Sequence, residues 1–352
     1  MNEQLSSNII CDISVILPFY NAENTIQTTL ESLISQTKKN IEILCIDDGS
    51  TDDSSKIVEQ LIKQSKIPIK LFKQPNQGVF KARETGIRNA QGAYIGFCDA
   101  DDTADPNMFK KLYHSAKQHD SDMVVCAFHR FSDRHSQPSN EMTSFGNSIL
   151  DVSYHSGWLT TINTALWNKI IRTTIAKKHI KLSKQPRITE DALFLLSIYP
   201  HLKTISFLNE PLYSYQANFG NAMRSISSND YKTIFSCWIE ARQEISNSNS
   251  LYIDILDLAA FIHLGLSLPL IMIKNNDSEL LRSYLKECRE ILDYYFPHYL
   301  NNEFLKLKYI HNNPSTMKMP YFASLAWKLN LLKPALKSYK QIDFISKSKG
   351  RW

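Results

Sequence analysis

The chain has 352 residues, 43% of them hydrophobic and 21% charged. That mix excludes a disordered or low-complexity polymer and fits one large or two medium folded domains. A net charge of +5 and a pI near 8.7 are too modest to argue for nucleic acid, and no nucleic-acid recognition module is visible. The six cysteines form no C-x-x-C pair, and Cys45, Cys98 and Cys126 sit in apolar runs. Reduced, buried thiols and a cytosolic setting are expected. The opening MNEQLSSNII has neither a basic start nor a long apolar core, so no signal peptide is expected.

The first 130 residues alternate between strand and helix patterns. ISVILP (13–18) reads as a strand, and Thr25 to Gln36 as a helix with Ile26, Leu30, Leu33 and Ile34 on one face. IEILCID (41–47) is a second strand. Ser50-x-x-Asp53 resembles a capping box opening a helix with Ile57, Val58, Leu61 and Ile62 inward. IKLFK (69–73), a helix from Gly78 to Ala90, AYIGFCD (93–99), a helix starting at Pro106 and DMVVCAF (122–128) follow. Strands this apolar predict an α/β fold with a mostly parallel sheet flanked by helices. Residues 131 to 165 are polar and irregular, and from about Tyr231 the pattern is helical. A boundary near 225 divides a catalytic domain, 1–225, from a helical region, 226–352.

Ligands of such sheets bind at the carboxyl ends of the strands. Two of those ends are acidic: Asp47-Asp48-Gly49-Ser50 and Asp99-Ala100-Asp101-Asp102. Carboxylates this crowded repel unless a cation sits among them. Mg²⁺ and Mn²⁺ favour carboxylate and phosphate oxygens and would offset that repulsion while bridging a diphosphate. The plainer reading of each stretch is a turn or a helix start. Lys81, Arg83 and Arg88 share the helix beside this rim. Arg83 is the better placed for a phosphate, and Lys81 and Arg88 read equally as a solvated face. Glu190 and Asp191 precede the apolar run ALFLLSIY. They are either first-turn acids favoured by the helix dipole or a general base with its neighbour. No zinc, nucleophile-triad, P-loop or G-x-G-x-x-G signature is present.

Taken in order, ISVILPFYNAENTIQTTLESLISQT, IEILCIDDGSTDDSS, NQGVFKARETGIRNAQGAYIGFCDADD and ITEDALF resemble glycosyltransferase family 2 from about Ile13 to Tyr215. The resemblance implies a GT-A (Rossmann-like) fold, a nucleotide-sugar donor, usually a UDP sugar, a Mn²⁺ or Mg²⁺ ion, and inversion at the anomeric carbon. It implies that Pro18 and Tyr20 line a nucleoside pocket. Asp48 meets the base with Asp47 close by, and Arg83 lies along the nucleotide. Asp99, Ala100 and Asp101 form the D-x-D segment, with Asp99 and Asp101 on the metal. Asp191 is the base, beside Glu190, and Trp167 and Lys169 lie near the sugar. After Tyr213-Ser214-Tyr215, relatives often place an Arg where this chain has Gln216. Arg224 is a candidate for that phosphate contact.

Two other classes remain for comparison. A sugar-nucleotide nucleotidylyltransferase would carry a Gly- and Arg-rich loop after the first strand, which PFYNAEN lacks. A non-catalytic sugar-nucleotide-binding subunit would have no need of both the D-x-D pair and Asp191. The expected partners are the nucleotide-sugar donor and a glycan or lipid-linked acceptor in bacterial surface-polysaccharide or lipooligosaccharide synthesis. The helical region offers acceptor, membrane-surface or oligomer contacts. LAAFIHLGLSLPLIMI (258–273) is shorter than the span of about 20 residues a bilayer needs and reads as a buried helix, with a membrane-facing helix as the other reading. The last 25 residues are basic, with aromatic and aliphatic residues between the lysines. Such a tail suits either a packing helix with a solvated face or peripheral contact with the inner membrane face.

Overall fold

A computed structural model describes residues 10–132, 135–138, 145–179, 182–184, 186–216, 226–248, 252–274, 278–311, 318–336 and 338. Arg224 and the tail residues Lys337, Tyr339, Lys340, Lys347, Lys349 and Arg351 lie outside them. The chain divides into two compact units: Met1–Tyr154, Ala165–His179 and His201–Ala217 form the first, and His155–Thr164, Ile180–Pro200 and Asn218–Trp352 the second. The backbone thus passes between them several times, where the sequence suggests one passage near 225. Residues 155–164 and 180–200 precede that point yet cluster with the helical region.

The first unit is built on one sheet. Its strands are β1 (Cys11–Phe19), β2 (Ile41–Asp47), β3 (Ile69–Lys73), β4 (Gly92–Phe97), β5 (Thr103–Ala104), β6 (Met123–Ser132), β7 (His135–Pro138), β8 (Ile149–Asp151), β9 (Lys169–Arg172) and β10 (Thr204–Gln216). The order is β3-β2-β1-β4-β9-β6-β10-β5, with β7 on β6 and β8 on β10. Helices α1 (Ile26–Ile34), α2 (Ser54–Gln64), α3 (Val79–Asn89) and α4 (Met108–Gln118) supply the connections. β3, β2, β1 and β4 are parallel, as the apolar strands predict. In the far half β6 and β10 are also parallel to each other, while the short β9 wedges between β4 and β6, antiparallel to both. The six longest strands thus run in one direction, and the short β5, β7, β8 and β9 are antiparallel insertions that make the sheet mixed.

Burial explains the strand pattern. Ile13, Val15, Leu17, Ile41, Ile43 and Cys45 face one apolar cluster with Leu30, Leu33 and Val58 of α1 and α2. All six cysteines are free and buried. The expected capping box is absent, because Ser50 is engaged elsewhere: its Oγ accepts the Asn21 N–H at 3.0 Å. Asp52 does the local work instead, accepting the Ser54 N–H at 3.0 Å.

α3 lies so close to β1 that a Cβ at Gly86 would stand 2.5 Å from Cγ2 of Ile16. Gly86→Ala is expected to destabilise the first unit by about 1–3 kcal/mol through overpacking. A lowered urea midpoint with an unchanged slope would show it, and an unchanged midpoint would contradict this packing.

The second unit is helical, with helices at Ser228–Ser248, Ile253–Lys274, Ser278–Tyr295 and Lys318–Lys328; the second of these is π-helical over Phe261–Ser267. Among the described residues, Ile253–Ile273 is the one helix long and apolar enough to cross a membrane, and 78% of its most apolar window is buried inside the protein. It serves as a core helix here. Asp257 on it is fully buried, yet accepts from Arg242 Nε at 2.8 Å and from the His298 N–H at 3.0 Å. Those donors offset part of the cost of burial, which still raises the Asp257 pKa.

Candidate functional site

The parallel register sets β1, β2 and β4 to end at a common rim, with Phe19 opposite Asp47 and Ile16 opposite Phe97. Pro18, Tyr20, Asp47, Asp48, Asp99 and Asp101 stand at the strand ends on or beside that rim. Pro18 is buried, whereas Tyr20 is half exposed. Asn21 next to it takes a positive φ of 48°, a conformation Asn tolerates better than most residues. Its Oδ1 accepts the Thr51 N–H at 2.8 Å.

Asp47 and Asp48 are both buried and hold loops. Asp47 accepts from the Ser50 N–H at 2.8 Å and from the Ser55 hydroxyl. Asp48 accepts from Gln74 Nε2 at 2.8 Å, the Gln77 N–H at 3.0 Å and the Gly78 N–H at 2.7 Å. It thereby fixes the loop that leads from β3 into α3. Gly49, with φ 83°, lets that loop approach: a Cβ there would sit 2.7 Å from the Asn76 nitrogen.

α3 points Arg83, which is buried, at the D-x-D segment, and its guanidinium lies 3.0 Å from Asp99 Oδ1. Arg88 is exposed and Lys81 pairs with Glu84 at 2.6 Å, so these two match the solvated-face reading. The Ala100 carbonyl accepts from Thr29 Oγ1 of α1 at 3.0 Å. Burial, and then the Asp99 carboxylate, raise the Asp101 pKa above the ordinary range. The same two causes push Asp102 up to about 8. Arg83, paired with Asp99, does not offset this burial and crowding at Asp101 and Asp102. Among the described residues no three or more His, Cys, Asp or Glu side chains gather into a closed metal cage. Asp99 and Asp101 offer carboxylate oxygens, the ligand type that hard divalent cations favour.

Asp102 and Tyr213, which the residue pattern leaves without a site role, both organise this segment. The Asp99 N–H donates to the Tyr213 hydroxyl at 3.1 Å, which donates on to Asp102 Oδ2 at 2.9 Å. Asp102 Oδ1 accepts the Gln216 N–H at 2.7 Å. β10 thus pins both ends of the acidic turn. Trp167 stacks on Tyr213 at 4.5 Å and on Tyr215 at 5.4 Å between ring centroids. The alternation Tyr-x-Tyr on a strand was the available signal, since it puts both rings on one face. Lys169 is fully buried on β9, donating to the Ala165 carbonyl and to Asn168 Oδ1, each at 2.6 Å.

In the second unit, Glu190 and Asp191 occupy the first turn of the helix Glu190–Ile198, both partly exposed. Thr189, at the N-cap, has φ 73° and ψ 7°. A β-branched residue in the left-handed region is strained. The buried Trp238 donates from its indole N–H to Thr189 Oγ1 at 3.1 Å and helps hold it there.

Comparison with known proteins gives concordant results. The profile of "Glycosyl transferase family 2" matches residues 14–179. A glycosyltransferase of Haemophilus influenzae is 33% identical over 256 residues, covering 69% of this chain and 94% of that one. Glycosyltransferase EpsJ of Bacillus subtilis is 32% identical over 213 residues, 58% of this chain and 61% of EpsJ. The chain therefore matches somewhat less than two thirds of EpsJ. In fold it is similar to S. aureus TarS 1–349, with a TM-score of 0.68 at 20% identity, over 94% of this chain and 91% of that one. TarS 1–349 has also been solved in complex with UDP-GlcNAc, to which the TM-score is 0.63 at 22% identity, over 94% and 92% of the two chains.

Proposed function

The chain belongs to glycosyltransferase family 2, and we propose that this glycosyltransferase transfers a sugar, with inversion, from a UDP donor to a hydroxyl of a glycan or lipid-linked acceptor. The setting is bacterial surface-polysaccharide or lipooligosaccharide synthesis on the cytosolic side. The observation that carries the donor half is the acidic turn itself: Asp99, Asp101 and Asp102 crowd together with raised carboxyl pKa values at Asp101 and Asp102. A divalent cation with its diphosphate relieves that repulsion. The TarS complex with UDP-GlcNAc supports the choice of a UDP sugar.

Asp99 and Asp101 would hold the ion, Mn²⁺ or Mg²⁺, which supplies charge stabilisation on the departing diphosphate. Arg83 orients Asp99 through their 3.0 Å ion pair and adds positive charge along the nucleotide. Pro18 and Tyr20 form the nucleoside wall. Asp47 and Asp48 build its floor by fixing the loops at 50–55 and 74–78, with Asp48 nearest the base. Ala100 shapes the turn between the metal carboxylates. Trp167 offers an aromatic slab toward the sugar, and Lys169 braces the segment behind it. Asp191 removes the proton from the acceptor hydroxyl, and Glu190 beside it contacts donor or acceptor hydroxyls. An inverting displacement needs this base opposite the leaving diphosphate.

A panel of UDP, GDP and CMP sugars, assayed with Mn²⁺ and with chelator, tests the reading. Turnover confined to a UDP sugar and lost on chelation is expected. Metal-independent turnover, or a GDP or CMP preference, would overturn it. Binding without any turnover, also with acceptor extracts, would favour the non-catalytic subunit.

A further inference from the structure

The strongest feature that the transfer reaction leaves unused is at the end of the second unit. The helix Lys318–Lys328 packs one face and leaves the other bare. Pro320, Ala323, Ser324 and Trp327 are buried. Trp327 fixes the helix in rotation: its indole N–H donates to the Tyr299 hydroxyl at 2.9 Å, and Arg289 covers its ring at 4.6 Å. The opposite face is therefore held outward. It carries Lys318, Phe322, Leu325 and Leu329 at helical spacing, and Phe322, Leu325 and Leu329 are 64%, 39% and 68% exposed.

The helix ends in a Schellman turn. Asn330 has φ 55°, Leu331 N–H donates to the Ala326 carbonyl at 2.7 Å, and Asn330 N–H to Trp327 at 3.1 Å. That turn presents Leu331, 52% exposed, beside Leu329 and Lys328. An apolar row of this kind on a rigid helix calls for a covering surface.

Charge says which surface. Residues 304–352 hold ten Lys and Arg and a single acid, Asp343, whereas the first 303 hold 30 basic and 34 acidic residues. The whole positive excess of the chain falls within this last stretch of sequence, which includes the helix. A second copy of the chain would bring the same positive charge against itself. An anionic lipid surface is complementary both to the lysines and to the apolar row.

We propose that this face docks on an anionic membrane surface, with Phe322, Leu325, Leu329 and Leu331 entering the headgroup boundary and Lys318, Lys328 and Lys333 meeting acidic headgroups. The docking does not depend on the reading of the donor site. It goes beyond the reaction by bringing the enzyme to a membrane surface, where lipid-linked acceptors reside.

The test is co-sedimentation of the full chain with phosphatidylcholine vesicles, alone or doped with phosphatidylglycerol. Wild type should partition onto the doped vesicles only, and release as salt rises. Phe322→Ser/Leu325→Ser/Leu329→Ser should weaken partitioning at least about tenfold. Lys318→Gln and Lys328→Gln should each weaken it about fivefold. All variants should keep the unfolding transition and donor turnover of the wild type, since these side chains are exposed. No wild-type binding, or equal binding by all variants, would overturn the proposal. A wild-type dimer that the triple serine variant turns into monomer would also overturn it, and would assign the face to a second copy.

Discussion

Asp191→Asn is expected to lower kcat for sugar transfer by about three orders of magnitude, with the donor KM changed little. The amide keeps the shape of the side chain and its place in the first turn of the helix Glu190–Ile198, but cannot accept the acceptor proton. Donor binding is assigned to other residues, so the loss should fall on kcat. A gentler variant probes the same carboxylate from behind. Trp238→Phe keeps an aromatic ring in the buried site but removes the five-membered ring and with it the N–H that reaches Thr189 Oγ1. Thr189 sits in a strained left-handed conformation, and releasing it lets the first turn relax. A fall in kcat of roughly tenfold at unchanged donor KM is expected, because a small misplacement of a reacting group costs that much or more. Full activity in Asp191→Asn would mean that the base lies elsewhere.

Asp101→Asn should have effects of opposite sign on activity and stability. In the proposed mechanism Asp101 is a carboxylate on the metal, and losing it removes several kcal/mol of transition-state stabilisation, so kcat/KM should fall by at least about 10³-fold. Stability without divalent ions should rise at neutral pH. Burial and Asp99 hold the Asp101 pKa above its unfolded value, so its ionised form is a cost to the folded state. The sign follows by linkage. A carboxyl whose folded pKa is raised contributes stability that is complete below its unfolded pKa and is lost as pH rises through the folded value. With Asp102 at about 8, the metal-free wild type should lose stability between roughly pH 4 and pH 8. Asp101→Asn removes one ionising group from that window and shallows the slope. Thermal melts across this range, with chelator, would show it. A slope that is flat in the wild type would contradict the crowding.

Much of this architecture was readable from residue patterns, and the exceptions have physical causes. β1, β2, β4 and β6 declare themselves as unbroken apolar runs because both sheet faces are covered. The two acidic stretches followed, since parallel strands put their carboxyl ends on one rim. β9 and β5 did not: strands of four and two residues carry too few positions for a period, and their partners are distant in sequence. The exchange of segments 155–164 and 180–200 into the second unit is invisible for the same reason. Asp102 looked like a turn residue, and only tertiary contact reveals it under the Tyr213 hydroxyl. Thr189 gave no sign of its left-handed backbone, because β-branched residues ordinarily avoid it. The buried placement of Asp47, Asp48 and Lys169 was likewise unforeseen. Polar residues at a rim suggest ligand contact, yet each of these also braces a neighbouring segment.

By the proposed mechanism, the acidic turn at Asp99–Asp102 takes a metal ion together with the donor diphosphate. Calorimetric titration of UDP into wild type and Asp101→Asn, each with Mn²⁺ and with chelator, tests it without relying on turnover. Mn²⁺ is expected to tighten UDP binding to the wild type at least about tenfold, a coupling near 1.4 kcal/mol, and to leave the variant's weak binding unchanged. UDP affinity that is the same with and without Mn²⁺ in the wild type would contradict it.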